Sequence, residues 1–300
     1  MFKIILAEKA GFCFGVKRAM SIAEETAKKS YNDPTYTFGP LIHNPQAVSY
    51  LESIGIQSID SLDNVKPGKL IVRSHGLPPQ IISSAQKKGF EIIDATCPFV
   101  RRTQDFAKTL LKQNYEVVVI GEAEHPEVIG IVGHTNGRAV IVENEDDIKK
   151  IDRKKKIGIV SQTTQSMENF KFLVSKILEI GSEINIFNTI CGATQMRQKA
   201  TLKLAKQADV MFIIGGKNSA NTTHLAQLSQ KTGKPTFHIE SSSEIDPEIL
   251  KDKRTIGISA GASTPSYVIK EVISYLESLR AKFSGPKGSR SLYKEEVLND

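Results

Sequence analysis

AGFCFGVKRAM, residues 10–20, sets Cys13 between Phe12 and Phe14, with Gly11 and Gly15 just outside. The apolar run FKIILA precedes it and the helically spaced VKRAMSIAEETAKK follows. A cysteine at a glycine-flanked strand-to-helix turn suits a group that must approach the backbone closely, a demand that a merely buried thiol does not make. The chain has two other cysteines, and both repeat this setting. Cys97 lies in FEIIDATCPFVRRTQDFAKTLL and Cys191 in INIFNTICGATQMRQKATLKLA. Each time a β-rich run ends at or just before the cysteine, and helical spacing resumes after it.

The repeat extends further. After each cysteine helix comes a hydrophobic strand that ends in a polar signature: TYTFGPLIHNPQAV, EVVVIGEAEHPEVIG and DVMFIIGGKNSANTTHL. Their signature residues His43, His125 and Ser219 stand 30, 28 and 28 residues beyond the preceding cysteine. A later strand in each copy ends in a second signature: LIVRSHGLP with His75, IGIVSQTTQS with Thr163 and IGISAGASTP with Ser263. Domain-sized repeats of strand and helix favour parallel sheets, whose ligands bind beyond the carboxyl ends of the strands. The expected fold is therefore α/β, with three similar domains and mainly parallel sheets. A pseudo-threefold arrangement around a central cluster site would bring the nine signatures to one centre. The expected boundaries are 1–96, 97–190 and 191–280, followed by a Gly-, Ser- and charge-rich tail over 281–300.

Composition narrows the class. Three cysteines, an odd number, exclude a complete disulfide framework and fit a reducing, cytoplasmic location. No run of eighteen apolar residues suggests a membrane span. The net charge of +7 suits an anionic substrate or an acidic protein partner. Its densest cluster, KKIDRKKK (149–156), has no interleaved aromatics and no accompanying nucleic-acid motif, so nucleic acid is not the expected partner.

Three isolated cysteines on three loops differ from structural zinc sites and from common ferredoxin runs, both of which use close cysteine pairs or triplets. They suit an iron–sulfur cluster held at three corners. A 4Fe–4S cube bound in this way keeps one open iron, which acts as a Lewis acid next to an electron source; loss of that iron leaves a 3Fe–4S form. The competing reading is three inert buried thiols. His43, His75 and His125, with Ser219, Asn221, Ser263 and Thr163, offer hydrogen bonds to an anion. Glu127, two residues after His125, is the candidate proton source, and Asn221 stands at the matching place after Ser219. His134, His224 and His238 lack equally placed partners and read as structural. GGKNSANT has neither the P-loop nor the dinucleotide spacing. On these residues alone an iron–sulfur electron carrier without substrate chemistry stays open beside a reductase.

GFCFGVKRA, GPLIHNP, RSHG, DATCP, HPEV, QTT, NTIC with RQ, KNS with NT, and AGAS together resemble the 4-hydroxy-3-methylbut-2-enyl diphosphate reductase family, over nearly the whole chain apart from the tail. The resemblance implies an oxidoreductase of the non-mevalonate (MEP/DOXP) isoprenoid pathway. Such an enzyme converts (E)-4-hydroxy-3-methylbut-2-enyl diphosphate into isopentenyl and dimethylallyl diphosphate. It implies Cys13, Cys97 and Cys191 as the metal ligands of a 4Fe–4S cluster, and Glu127 and Thr163 as catalytic residues. Substrate binding falls to His43, His75, His125, Glu127, Thr163, Ser219, Asn221 and Ser263. An allylic diphosphate is the implied small-molecule partner, an acidic ferredoxin or flavodoxin the electron donor, and a monomer the implied state. Members often carry a second serine where this chain has Ala220, which leaves only a backbone N–H at that point.

Overall fold

The computed structural model describes residues 2–29 and 33–284. β1 (Lys3–Leu6) leads to α1 (Phe14–Lys29), β2 (Thr35–Phe38), α2 (Pro45–Ser53), β3 (Ile56–Ile59), β4 (Lys69–Val72), α3 (Pro79–Lys87) and β5 (Glu91–Asp94). Then come α4 (Pro98–Lys112), β6 (Glu116–Ile120), α5 (Pro126–His134), β7 (Val140–Val142), β8 (Ile157–Ser161), α6 (Met167–Leu178) and β9 (Ile184–Ile186). The described chain closes with α7 (Gly192–Ala205), β10 (Val210–Ile214), α8 (Ala220–Gln230), β11 (Thr236–Ile239), β12 (Thr255–Ala260) and α9 (Ser266–Ser284).

The strands form three four-stranded sheets in the orders β1-β12-β10-β11, β5-β4-β2-β3 and β9-β8-β6-β7, parallel at every pairing. The three orders are equivalent. A cysteine follows the first strand of each order, the second signature follows the next, and the first signature follows the third. The expected parallel α/β fold in three sheets is thus observed.

One strand lies elsewhere than expected. β1, placed by its position within residues 1–96, pairs with β12 (Lys3 opposite Thr255, Leu6 opposite Ile258) and completes the sheet of the last third of the chain. The reason is topological. In the two internal sheets the cysteine strand comes last in sequence, whereas the first cysteine strand has no such sheet before it and closes the final one. The tail expected from residue 281 also starts later, because α9 runs through Ser284. The rest of that tail lies outside the described residues.

By its contacts the chain divides into two compact units. The first comprises residues 2–14, 43–47 and 192–284 and contains one sheet between two helical layers. Phe212, Ile214, Ile256 and Ile258 point to one face and pack on Val268, Val272 and Leu276 of α9. Met211 and Ile213 point to the other and pack on Leu204 of α7 and Leu225 of α8. β10 and β12 are buried throughout, as expected of central parallel strands covered on both faces.

The second unit comprises residues 15–42 and 48–191 and contains the other two sheets. Val118, Ile120, Ile157 and Ile159 face Phe170, Leu173 and Ile177 of α6. Val117, Val119 and Val160 face Ala107 and Leu110 of α4 and Val128 and Ile131 of α5. Tyr36, Leu70, Ala85 and Phe90 form a smaller core on the remaining sheet. Proline opens α4 and α5 directly after Cys97 and His125, and α3 at Pro79, four residues after His75. Its fixed φ and missing N–H suit the first helical turn, so the chain leaves the strand end abruptly and the functional side chain stays on the rim.

Candidate active site

Pairing of β6 with β8 sets Ile120 opposite Ser161, so the carboxyl ends of these strands lie side by side. That register brings together two residues far apart in sequence. The Thr163 backbone N–H donates to Glu127 Oε1 at 2.6 Å, and its Oγ1–H donates to Oε2 at 2.8 Å. Glu127 is 1 % exposed. Burial pushes its carboxyl up from 4.5 to about 7, against the two Thr163 hydrogen bonds, which favour the ionised form; the Glu122 charge adds a smaller upward push. The group is thereby poised to hold or give up a proton near neutrality.

His125 caps α5, and its Nδ1 accepts the Glu127 backbone N–H at 3.1 Å. In the neutral ring this bond assigns the proton to Nε2, which becomes the donor edge. The His75 ring meets that of His125 edge to face, with centroids 5.4 Å apart. His75 is followed by Gly76 at φ +74°, where a Cβ would stand 2.4 Å from Gln104 Nε2. Only glycine fits that turn.

In the other unit β10 and β12 are neighbours, with Ile214 opposite Ala260. Ser219, the N-cap of α8, accepts the Thr222 N–H at 3.4 Å and the Thr222 Oγ1–H at 3.0 Å, which leaves its own O–H to donate. Ser263 Oγ–H donates to the His43 carbonyl at 2.9 Å and lies 3.5 Å from Ser219 Oγ. Asn221 is 5 % exposed, and its Oδ1 and Nδ2 are both buried without a hydrogen-bond partner. An orphaned buried amide costs about 1–3 kcal/mol, so a polar ligand is the natural complement of this helix N-terminus. Gly216 permits the approach: a Cβ there would stand 2.8 Å from the His43 carbonyl oxygen.

The three cysteines occupy equivalent places and form no disulfide. The Cys13 N–H donates to Ala262 O at 3.1 Å, that of Cys97 to Ser74 O at 2.9 Å and that of Cys191 to Thr163 O at 3.1 Å. Each cysteine is thus tied to the second signature of the adjacent strand and sits at or just before the start of a helix. All three are half-buried, so each thiol is anchored by its backbone yet partly accessible. Each of these separately anchored sulfurs, at a helix N-terminus that favours an anionic group, has the chemistry of a soft metal ligand.

Sequence reasoning missed several supporting residues. Arg197 on α7, 3 % exposed, donates through Nη2 to Gly11 O at 2.6 Å and so fixes the turn before Cys13. Gln162 bridges two signature loops: its Oε1 accepts the Glu122 N–H at 3.0 Å, and its Nε2 donates to Thr164 Oγ1 at 2.9 Å. A buried arginine inside the RQ motif and the glutamine of QTT were the available signals. Of the histidines read as structural, His134 Nδ1 bonds Gly130 O and His238 Nε2 bonds Gly215 O, the latter bracing the glycine turn before Ser219.

The LytB protein family matches residues 4–277, and the chain belongs to that family. It is 46 % identical over 280 residues to the 4-hydroxy-3-methylbut-2-enyl diphosphate reductase of Pelobacter propionicus, covering 93 % of this chain and 99 % of that one. A solved (E)-4-hydroxy-3-methyl-but-2-enyl diphosphate reductase, described as the terminal enzyme of the non-mevalonate pathway, shares 45 % identity at a TM-score of 0.69, covering 93 % of this chain and all of the other. The E-1-hydroxy-2-methyl-but-2-enyl-4-diphosphate reductase of Plasmodium falciparum shares 31 % identity at a TM-score of 0.89, covering 98 % and 95 %.

Proposed function

We propose that this chain is an oxidoreductase that removes the allylic hydroxyl of (E)-4-hydroxy-3-methylbut-2-enyl diphosphate, giving isopentenyl and dimethylallyl diphosphate as the last step of non-mevalonate isoprenoid synthesis. Two electrons and two protons enter, a C–O bond breaks, a C–H bond forms and water leaves. The observation that carries the reading is the buried Glu127 carboxyl, gripped by Thr163 and shifted to about 7, on the same loop as His125.

Cys13, Cys97 and Cys191 are the residues that would hold a 4Fe–4S cluster. Bound there, it would supply single electrons and Lewis-acid chemistry. The diphosphate is assigned to His43, His75, His125, Ser219, Asn221 and Ser263. The N–H of Ala220, the first residue of α8, replaces the family's second serine. Glu127 protonates the departing oxygen. The Thr163 hydroxyl donates to the carboxylate and can accept from the carboxylic acid, so it reorients as the proton moves. A buried site makes each of these contacts stronger than in water, and an anchored diphosphate orients the reacting carbon.

The same proposal gives three repeats, bounded near 96/97 and 190/191, with residues 2–13 joined to the third. It includes an acidic ferredoxin or flavodoxin as donor, a monomeric state and a cytoplasmic location. A pure electron carrier has no use for the orphaned Asn221 amide or for a carboxyl tuned to neutrality. Among the described residues no helix is long and apolar enough to cross a membrane. The test is anaerobic reconstitution followed by dithionite-driven turnover, with the two isomeric diphosphates as the readout. A protein with full iron and sulfide that makes neither product overturns the reading.

A further inference from the structure

Beside Cys97 lies a groove of about 470 Å³ whose lining includes Arg18, Arg101, Arg102, Asp94 and both chain neighbours of the cysteine, Thr96 and Pro98. The groove therefore flanks the turn that carries one thiol. Arg18, from α1, donates to Thr96 O at 3.1 Å and to Asp94 O at 3.4 Å, both neutral carbonyls. Arg101 pairs with Asp94. Arg102 stacks over the Phe106 ring, 5.1 Å from its centroid, with no carboxylate partner among the described residues. Asp105, also in the lining, is paired with Lys108 at 3.7 Å. Asp94 and Asp105 are thus paired with Arg101 and Lys108, while Arg18 and Arg102 make no ion pair among the described residues. Pro98 and Phe99 are exposed next to it, Phe99 at 42 %.

Arginine and exposed aromatic surface are what protein interfaces favour. Unneutralised positive charge selects an acidic partner and accelerates its arrival. Asp94 and Asp105 in the same groove make it a poor cradle for a small free anion. Resting on the reductase reading above, we propose that the Cys97 groove is the docking surface for the acidic one-electron carrier protein that reduces this enzyme. Each encounter oxidises the carrier by one electron. Two encounters and two protons convert one allylic alcohol to an alkene and water. Small, charge-steered contacts of this kind are typical of transient redox complexes.

The test compares wild type, Arg102→Glu, Arg102→Gln and Lys112→Glu as anaerobic holoenzymes. Lys112 is exposed at the other end of α4, about 15 Å along the helix at 1.5 Å per residue. The probe is reduced 2Fe–2S ferredoxin, mixed by stopped flow at low and high salt; affinity for oxidised ferredoxin is titrated separately. Arg102→Glu is expected to slow reduction at least tenfold at low salt and to weaken binding in parallel, with Arg102→Gln intermediate and Lys112→Glu near wild type. The differences should shrink as salt rises. Iron content and reduction by dithionite should stay unchanged. Equal rates and affinities in all four proteins, equal losses in Arg102→Glu and Lys112→Glu, or an Arg102 effect seen only with phosphate or a short RNA would each overturn the proposal. Dithionite-driven product formation separates the two readings: its absence defeats the reductase assignment, whereas its presence with ferredoxin binding indifferent to Arg102 defeats only the docking surface.

Discussion

Thr163 grips Glu127 at both carboxyl oxygens, with its amide at 2.6 Å and its hydroxyl at 2.8 Å. The grip favours the ionised carboxylate while burial favours the neutral acid, and burial prevails. Below about pH 7 the carboxyl therefore carries the proton that a general acid must deliver, and above it that proton is lost. Turnover is expected to fall on the alkaline side of a transition near 7. Glu127→Gln should keep the shape, bind substrate with little change and lower turnover by about 10²- to 10⁴-fold, with the alkaline limb gone. Single-turnover product formation across pH checks this; near-normal turnover removes Glu127 from the mechanism.

The same residue sets a stability profile. Between pH 4.5 and about 7 the unfolded carboxyl is ionised while the folded one retains its proton. The folded state binds more protons over that window, so stability is expected to decline as pH rises through it and to level off above. Urea midpoints at pH 5 and pH 8 should differ less in Glu127→Gln than in wild type. Identical differences would mean that the carboxyl is solvated.

Thr163→Val removes the hydroxyl and keeps the amide. A hydrogen bond to a charged group contributes about 1.5–3 kcal/mol, and 1.36 kcal/mol corresponds to one pKa unit. The alkaline limb is thus expected to move upward by about one to two units, with the Michaelis constant nearly unchanged. A limb that stays in place would show that the hydroxyl does not act on Glu127.

Asn221→Ala separates binding from folding. Both amide atoms are orphaned in the protein alone, so their loss should leave thermal stability equal or slightly higher. With substrate the missing contact should raise the Michaelis constant by roughly ten- to hundredfold. Calorimetric titration with substrate or inorganic diphosphate measures it. Unchanged affinity would place the anion elsewhere.

The cysteines permit a comparison in threes. Replacement of Cys13, Cys97 or Cys191 by serine, one at a time, is expected to abolish turnover and to lower bound iron and sulfide after reconstitution, with similar losses in each. Wild-type iron in any one variant would remove that residue from the ligand set.

The cysteine turns, the three parallel sheets and the strand-end positions were legible because each combines a short apolar run with a polar signature at a repeated interval. The partner of β1 was not, because four residues of parallel strand carry no mark of the distant chain they join. The roles of Arg197 and Gln162 were hidden for a related reason. Helices and strands that face a polar site bury polar residues, and α7 turns Thr194, Arg197, Gln198 and Thr201 inward, so hydrophobic periodicity fades where function is densest. Contact of Glu127 with Thr163 depends on strand register, which only the folded sheet reveals; resemblance to a family supplied those residues in advance.

The pairing of β1 with β12 has a consequence for synthesis. Cys13 is synthesised long before the strand beside it and the Ala262 carbonyl that anchors its amide. A nascent chain that has not yet reached β12 can pair the strands of its two internal sheets but lacks the strand that holds its first thiol in place. β1 and β12 therefore act as a clasp, and the first cysteine gains its setting only once β12 has been made.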